Sequence, residues 1–379
     1  MTTPALTERF SRAAVAHDWL TAPGGSEKVV LELLKLLPGA DIYTSVYEPG
    51  NWGDAFAGHR VTPSFLDRLP KARTQYRKLL PLMTRAFESF DLADYDLVVS
   101  SSHSCAKNVL TGPDTVHLCY CHTPMRHAWE QRFLEAEPMG SASRLAARAL
   151  MPRLRREDLI GAARPDVYVA NSRFVARRIA KYYRRESEVI HPPVEVDALL
   201  EQPHDPEDYY LVLGRVVPYK RADLAVAACA KLGRRVKVVG TGRAIDVARA
   251  AAGPGAEFLG FVPDEELGPI LAGARALLFP GAEDFGIVPV EAQAAGVPVI
   301  AYGVAGVLDS VIDGRTGVFH HEQTVDALAA AILSFEDQLF DEEEIRDNAR
   351  AFAPEHFRSR IAELLMALPA LTSDRIEVR

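Results

Sequence analysis

One pattern runs through this sequence: a short apolar run, a polar turn, then an amphipathic helical stretch. "AAVAHDW" at 13–19 reads as a buried strand, and "SEKVVLELLKLLPG" as a helix stopped by Pro38 and Gly39. Further runs follow at "DIYTSV", "YDLVVSSS", "TVHLCYCHTP" and "PDVYVANS", then a helix "SRFVARRIAKYY" with Ser172 as its N-cap. Pro192 and Pro193 break the pattern, which makes them a natural hinge. It restarts with "YYLVLGR", "KRADLAVAACAKLG", "RVKVVGTG", "AEFLGFV", "PDEELGPILAGA", "RALLFPG", a helix from about Ile287, and "VPVIAY". Strands alternating with helices give parallel sheets covered on both faces. The expectation is an α/β chain of two doubly wound, Rossmann-like domains, 1–191 and 192–354, facing a deep cleft. The tail "DEEEIRDNARAFAPEHFRSRIAELLMAL" reads as two helices broken near Pro354, the second, at about 355–368, returning to the first domain. Ligands of such sheets sit beyond the carboxyl ends of the strands.

Bulk properties narrow the class. The 379 residues exceed one typical core. With 48% hydrophobic and 25% charged residues, the composition is that of a soluble globular protein. No apolar run approaches the roughly 20 residues of a membrane span, and "MTTPALTERFSRAAVAHDW" has no apolar signal core. Cys105, Cys119, Cys121 and Cys229 fit no zinc spacing and are too few for a disulfide framework. "CYC" puts two thiols on one face of a strand, packed as small hydrophobes. A reduced, cytoplasmic protein is expected. Charge is uneven: residues 1–190 hold 26 Lys and Arg against 21 Asp and Glu, and the rest 17 against 30. The two halves therefore meet different partners, unless this is drift in surface composition. The net charge of -8 and the lack of a reader motif argue against nucleic acid.

Several strand ends carry chemistry. Gly24 and Gly25 separate the first strand from its helix, where bare N–H groups can approach an anion, although a tight turn needs glycine equally. "VVGTGRAID" offers Gly240 and Gly242 but no third glycine, which weakens a dinucleotide reading. In "LGRVVPYKRAD", Arg215 follows a strand and Lys220 stands at the next helix start. Arg as a fork and Lys as a point charge suit a diphosphate. A solvated basic loop is the commoner fate, but a cation at a helix N-terminus asks for an anion nearby. His122 ends a strand in "CHTPMRHAW", placed to donate to a polar substrate. "PGAEDFGIVPVEAQAAG" sets Glu283 and Asp284 before a glycine turn and Glu291 about one turn into a helix with Pro289 in its first turn. The backbone N–H groups of Phe285, Gly286 and Ile287 suit hydroxyl and phosphate oxygens, and the carboxylates suit vicinal hydroxyls. Acids placed for the helix dipole account for Glu283 and Asp284 but not for the whole pattern.

Taken together, "GGSE", "CHTPMRHAW", "ANSRFVARRI", "VIHPPVEVD", "GRVVPYKRADLAV" and the E-x7-E pair Glu283 and Glu291 resemble the retaining glycosyltransferases of family 4, over nearly the whole chain. The wording "EDFGIVPVEAQAAGVPVIAYG" is most similar to the bacterial GDP-mannose-dependent mannosyltransferases. The resemblance implies a GT-B fold and a hexose moved from a nucleotide sugar to a glycan or lipid-linked acceptor. It implies that Arg215 and Lys220 grip the donor diphosphate, Glu291 the ribose hydroxyls, and Glu283 with the backbone of Asp284 to Ile287 the transferred sugar. Gly25, with Gly24 beside it, would face the phosphates from the other domain, His122 the sugar's 6-hydroxyl, and Gly260 the nucleobase. No metal and no bound cofactor is implied. The glutamates then serve as binding groups, unlike the paired carboxylates of glycoside hydrolases.

The acceptor side falls to the first half. "RLPKARTQYRKLLPLMTRAFESF" interleaves Arg68, Lys71, Arg73, Arg77, Lys78 and Arg85 with leucines and aromatics, and "SRLAARALMPRLRRED" adds five arginines. Such a face could dock on an anionic bilayer at the cytoplasmic side, or be an ordinary solvated helix face. The alternatives to GDP-mannose transfer are a UDP-sugar donor, an epimerase or phosphorylase on the same fold, and a catalytically silent partner subunit. Loss of Arg215, Lys220 or Glu291 would mark the last, and all three are present.

Overall fold

The computed structural model describes residues 3–130 and 140–368. The chain divides into two compact units, residues up to Pro192 together with the stretch from Phe357, and Pro193–His356. The N-terminal unit holds β1 (Ala13–His17), β2 (Asp41–Thr44), β3 (Val61–Pro63), β4 (Leu97–Ser102), β5 (Val116–Cys121), β6 (Val167–Ala170) and β7 (Glu188–Val189). They form one parallel sheet in the order β3-β2-β1-β4-β5-β6-β7. The C-terminal unit holds β8 (Tyr210–Leu213), β9 (Val236–Val239), β10 (Ala256–Gly260), β11 (Leu277–Phe279), β12 (Val299–Tyr302) and β13 (Gly317–His320). Their order is β10-β9-β8-β11-β12-β13, again all parallel. Both faces of the first sheet's centre are covered: every residue of β4 and β5 is buried, including Ser100, Ser101, Ser102 and His117.

Each order reverses once, at β1 and β4 in the first sheet and at β8 and β11 in the second. A reversal leaves the crevice beyond the two strand ends uncovered by crossover helices, which is where doubly wound sheets take ligands.

The helix Pro354–Ala367 joins the N-terminal core. Phe357, Ile361, Ala362 and Leu365 pack with Val29, Val30, Leu33, Val99 and Tyr120. Arg358 pairs with the buried Glu32. All four cysteines are free and buried, and Cys119 and Cys121 share a core with Tyr168 and Ile179. In the C-terminal unit Arg346 is buried and donates to five backbone carbonyls, Leu199, Leu200, Gln202, Ala294 and Ala295. Two of these belong to the C-terminal end of the helix Ile287–Ala294 and the residue after it, where a cation also suits the helix dipole.

Candidate functional site

In the C-terminal unit the two loops at the β8–β11 reversal come together. Arg215 lies two residues past β8 and is exposed, with no partner among the described residues. Lys220 ends the single turn Pro218–Lys220. Gly281 in the turn after β11 packs on it: a Cβ there would lie 2.8 Å from the Lys220 Cα. This close approach puts Lys220 Nζ 2.8 Å from Glu283 Oε1, as an ion contact rather than an aligned hydrogen bond. From the sequence, Lys220 reads as a helix-start cation asking for a ligand's charge. Two points differ in the structure: the helix begins only at Ala222, and the chain itself supplies an anion in Glu283. At the helix start proper, Arg221 sits in the left-handed region and chelates Asp223.

Downstream, Gly286 has φ 92° and ψ 88°, a conformation that favours glycine, and it starts the helix Ile287–Ala294 without a side-chain cap. The N–H groups of Gly286 and Ile287 have no partner among the described residues, so they are the donors a helix start offers to an oxygen ligand. Phe285 contributes only backbone here. Its ring is core, 5.6 Å from that of Phe352 and packed with Val194 and Val290. Asp284 is buried as well. Gly306 supports the loop from behind: its N–H donates to the Glu283 carbonyl at 2.9 Å, and any side chain would run into Asp284 and Phe285. Glu291 is half-buried in the second turn of the same helix. Gly260 closes β10, two strands from β8, where its carbonyl accepts from Gly240 N–H at 2.6 Å.

In the N-terminal unit the reversal holds a cluster that sequence reasoning missed. Asp18, fully buried just past β1, accepts N–H bonds from His103 (2.6 Å), Ser104 (2.9 Å), Cys105 (2.5 Å) and Ala106 (2.7 Å) in the turn after β4. The His103 ring lies 2.8 Å from the same carboxylate. Burial pushes the Asp18 carboxyl up, but the His103 charge, that of His17 and the backbone donors outweigh it and hold it well below the usual range. His103 is displaced upward: burial opposes its charge, and Asp18 more than offsets that. Glu27 folds back from the helix Gly25–Leu36 onto His17 Nε2 at 3.3 Å. Burial opposes its ionisation, yet the bond and charge of His17 bring it down to about 2. Gly24, the exposed residue at the start of that helix, is where this carboxylate needs room: a Cβ would stand 2.8 Å from Glu27 Oε2. Gly25 opens the helix, again without a side-chain cap. His122 directly follows β5, with Nε2 2.8 Å from Ser101 Oγ. Burial and the charges of His103 and His17 press its pKa down to about 3, so it stands neutral at physiological pH. The available signal was polar: "HD" ends one apolar run and "SSSHS" another.

The family model for glycosyl transferases group 1 matches residues 201–352, and that for glycosyltransferase family 4 matches residues 23–198. The chain belongs to the family 4 type of glycosyltransferases. Solved structures place the glycosyltransferase in the GT-B fold. The Anabaena HepE protein, in complex with UDP and glucose, is 17% identical over 94% of this chain and 99% of its own, with a TM-score of 0.66. Sucrose-phosphate synthase from Thermosynechococcus elongatus is 19% identical over 94% and 98%, with a TM-score of 0.69. A lipopolysaccharide outer core galactosyltransferase, WaaB, in its apo form, is 13% identical over 94% and 99%, with a TM-score of 0.67. No curated protein sequence matches this glycosyltransferase.

Proposed function

We propose that this glycosyltransferase moves a hexose from a nucleotide sugar to a glycan or lipid-linked acceptor with retention at the anomeric carbon, and that its donor is GDP-mannose. The observation that supports this most is the convergence at the β8–β11 reversal of two cations, a carboxylate and an uncapped helix start. In this reading Arg215 and Lys220 take the diphosphate, helped by the dipole of the helix at Ile287, in place of a metal ion. Glu291 accepts from the ribose, Gly260 borders the base, and Glu283 with the backbone of Asp284 to Ile287 holds the sugar. In the N-terminal unit, Gly24, Gly25 and His122 are the residues we propose for contact with a nucleotide sugar.

The bond from the anomeric carbon to the diphosphate oxygen breaks with oxocarbenium character. The acceptor oxygen forms its bond on the same face, and its proton passes to the departing phosphate oxygen. Free nucleoside diphosphate is the second product. The protein's main contribution is electrostatic, through Arg215 and Lys220 on the leaving group.

A second donor reading, a UDP sugar, is favoured by HepE, which has been solved with UDP and with UDP-glucose. A thermal-shift panel of GDP, UDP and ADP with their sugars separates the two. Stabilisation by GDP-mannose supports the first; a response to UDP sugars alone replaces it. If no sugar nucleotide responds and Arg215→Ala leaves transfer and hydrolysis unchanged, the enzyme reading fails.

For the acceptor we propose peripheral contact with an anionic membrane. Phe65, Leu69 and Leu82 are exposed among the exposed Arg68, Lys71, Arg77, Lys78 and Arg85. Among the described residues no helix is long and apolar enough to cross a membrane.

A further inference from the structure

Three imidazoles share the β1–β4 reversal, with ring centroids 6.0 Å (His17–His103), 6.4 Å (His17–His122) and 6.2 Å (His103–His122) apart. Two carboxylates serve them. Asp18 takes His103 and Glu27 takes His17, which leaves His122 with a hydroxyl, Ser101 Oγ. The other charge that bears on the cluster is Arg126, which opposes a proton on His103.

The protons can be counted along this chain of contacts. His17 Nδ1 lies 3.0 Å from the Ser101 carbonyl oxygen, which only accepts, so Nδ1 carries a proton. His17 Nε2 faces Glu27 Oε1 at 3.3 Å. Ser101 Oγ, 3.1 Å from that protonated Nδ1, is therefore an acceptor toward His17. Its own hydrogen is left for His122 Nε2 at 2.8 Å.

We infer that Ser101, backed by His17 and Glu27, is a positioning residue that fixes His122 as the neutral Nδ1–H tautomer, so that His122 presents Nδ1–H as the donor to the transferred sugar. The inference rests on the proposed role of His122 at the donor, and it deepens that role by naming the atom and what sets it. The register of the sheet builds the device: His17 pairs with Ser101 across β1 and β4, and Ser102 with Cys121 across β4 and β5, so His122 follows one step on. Ser101 and His17 are fully buried, so water does not compete for these bonds.

Nitrogen-15 NMR of the full chain, labelled in histidine and free of ligand, reads the tautomer directly. The expected result is His122 with Nδ1 protonated and Nε2 bare. In Ser101→Ala and Ser101→Cys the population moves toward Nε2–H, and Ser101→Thr restores the wild-type spectrum. Transfer follows: kcat falls about tenfold in Ser101→Ala with donor KM nearly unchanged, and recovers in Ser101→Thr. Ser101→Cys keeps the volume, so a folding defect in one variant does not decide the matter. A wild-type His122 protonated on Nε2, or a tautomer indifferent to both Ser101→Ala and Ser101→Cys, overturns the inference. A wild-type chain that moves no sugar instead overturns the transferase reading, and the spectra then decide the tautomer alone.

Discussion

Lys220 Nζ rests 2.8 Å from Glu283 Oε1, joining the loop after β8 to the loop after β11. Both side chains are about one-sixth exposed, at 18% and 17%. The pair balances a cation against an anion at the reversal point; under the proposed function a donor would offer the lysine a phosphate and the glutamate a hydroxyl. Exchange of partners, rather than filling of an empty site, is then the binding event. Lys220→Ala should lower kcat about 10²- to 10³-fold, the usual effect of removing one preorganised charge stabiliser. Glu283→Gln should act mainly on the donor's KM. Steady-state kinetics on both variants check this, and equal, small effects would argue against the exchange.

Gly306→Ala tests the support under the loop from Glu283 to Gly286 that is proposed to hold the donor. A methyl group there meets Asp284 and Phe285, so the loop must shift by more than an ångström or the residue must move away. The expected cost is about 1–3 kcal/mol by denaturant unfolding. Donor affinity should fall as well, by calorimetry. Stability lost with affinity intact would mean that the loop conformation is not what binds.

At the other end of the site helix, Arg346→Met removes a cation from five carbonyls. Urea unfolding should show a loss of about 3 kcal/mol, since buried acceptors are left without donors. Arg346→Lys should recover part of it, because an ammonium reaches fewer of the carbonyls at once.

Acid should destabilise the chain well before its carboxylates titrate. His117 is fully buried, with Nε2 2.9 Å from Ser100 Oγ, and burial followed by the charge of Arg164 lowers its pKa from 6.5 to about 3. The unfolded chain binds this proton below pH 6.5 while the native chain does not, so stability is full above 6.5 and is lost as pH falls toward 3. His122 acts in the same direction, and His103, displaced upward, acts in the opposite one. His117→Gln keeps a polar partner for Ser100 without a titration. Its stability against pH, from urea curves, should slope less over that window; an unchanged slope would assign the acid sensitivity elsewhere.

Binding to vesicles containing anionic lipid should depend on the exposed basic face. Replacing Arg77 and Lys78 by Glu should abolish co-sedimentation at low salt, and Leu82→Ser should weaken it at all salt concentrations. Equal binding to neutral vesicles would exclude the electrostatic part.

The alternation of short, largely apolar runs with period-3.6 segments made the two parallel sheets legible, because strands covered on both faces read as runs rather than as alternating patterns. Arg215, Lys220 and the stretch from Glu283 to Glu291 were legible because each lies within a few residues of a strand end. The partnership of Lys220 with Glu283 was not, since it depends on Gly281 letting two loops touch across 63 positions of sequence. Asp18 was hidden for the same reason: its donors stand 85 to 88 residues downstream. A polar residue at the end of an apolar run signals a strand end, but the register of β1 on β4 decides what it meets.

The packing of Phe357, Ile361 and Leu365 into the first core bears on how the chain matures during synthesis. The N-terminal sheet emerges from the ribosome with one patch of its core uncovered. It stays so while the whole of 193–356, a compact unit of its own, is made. The order of completion is therefore inverted relative to the order of translation: the second unit closes first. For that interval the nascent first unit exposes an apolar groove lined by Val29, Val30 and Leu33, the kind of surface that chaperones bind.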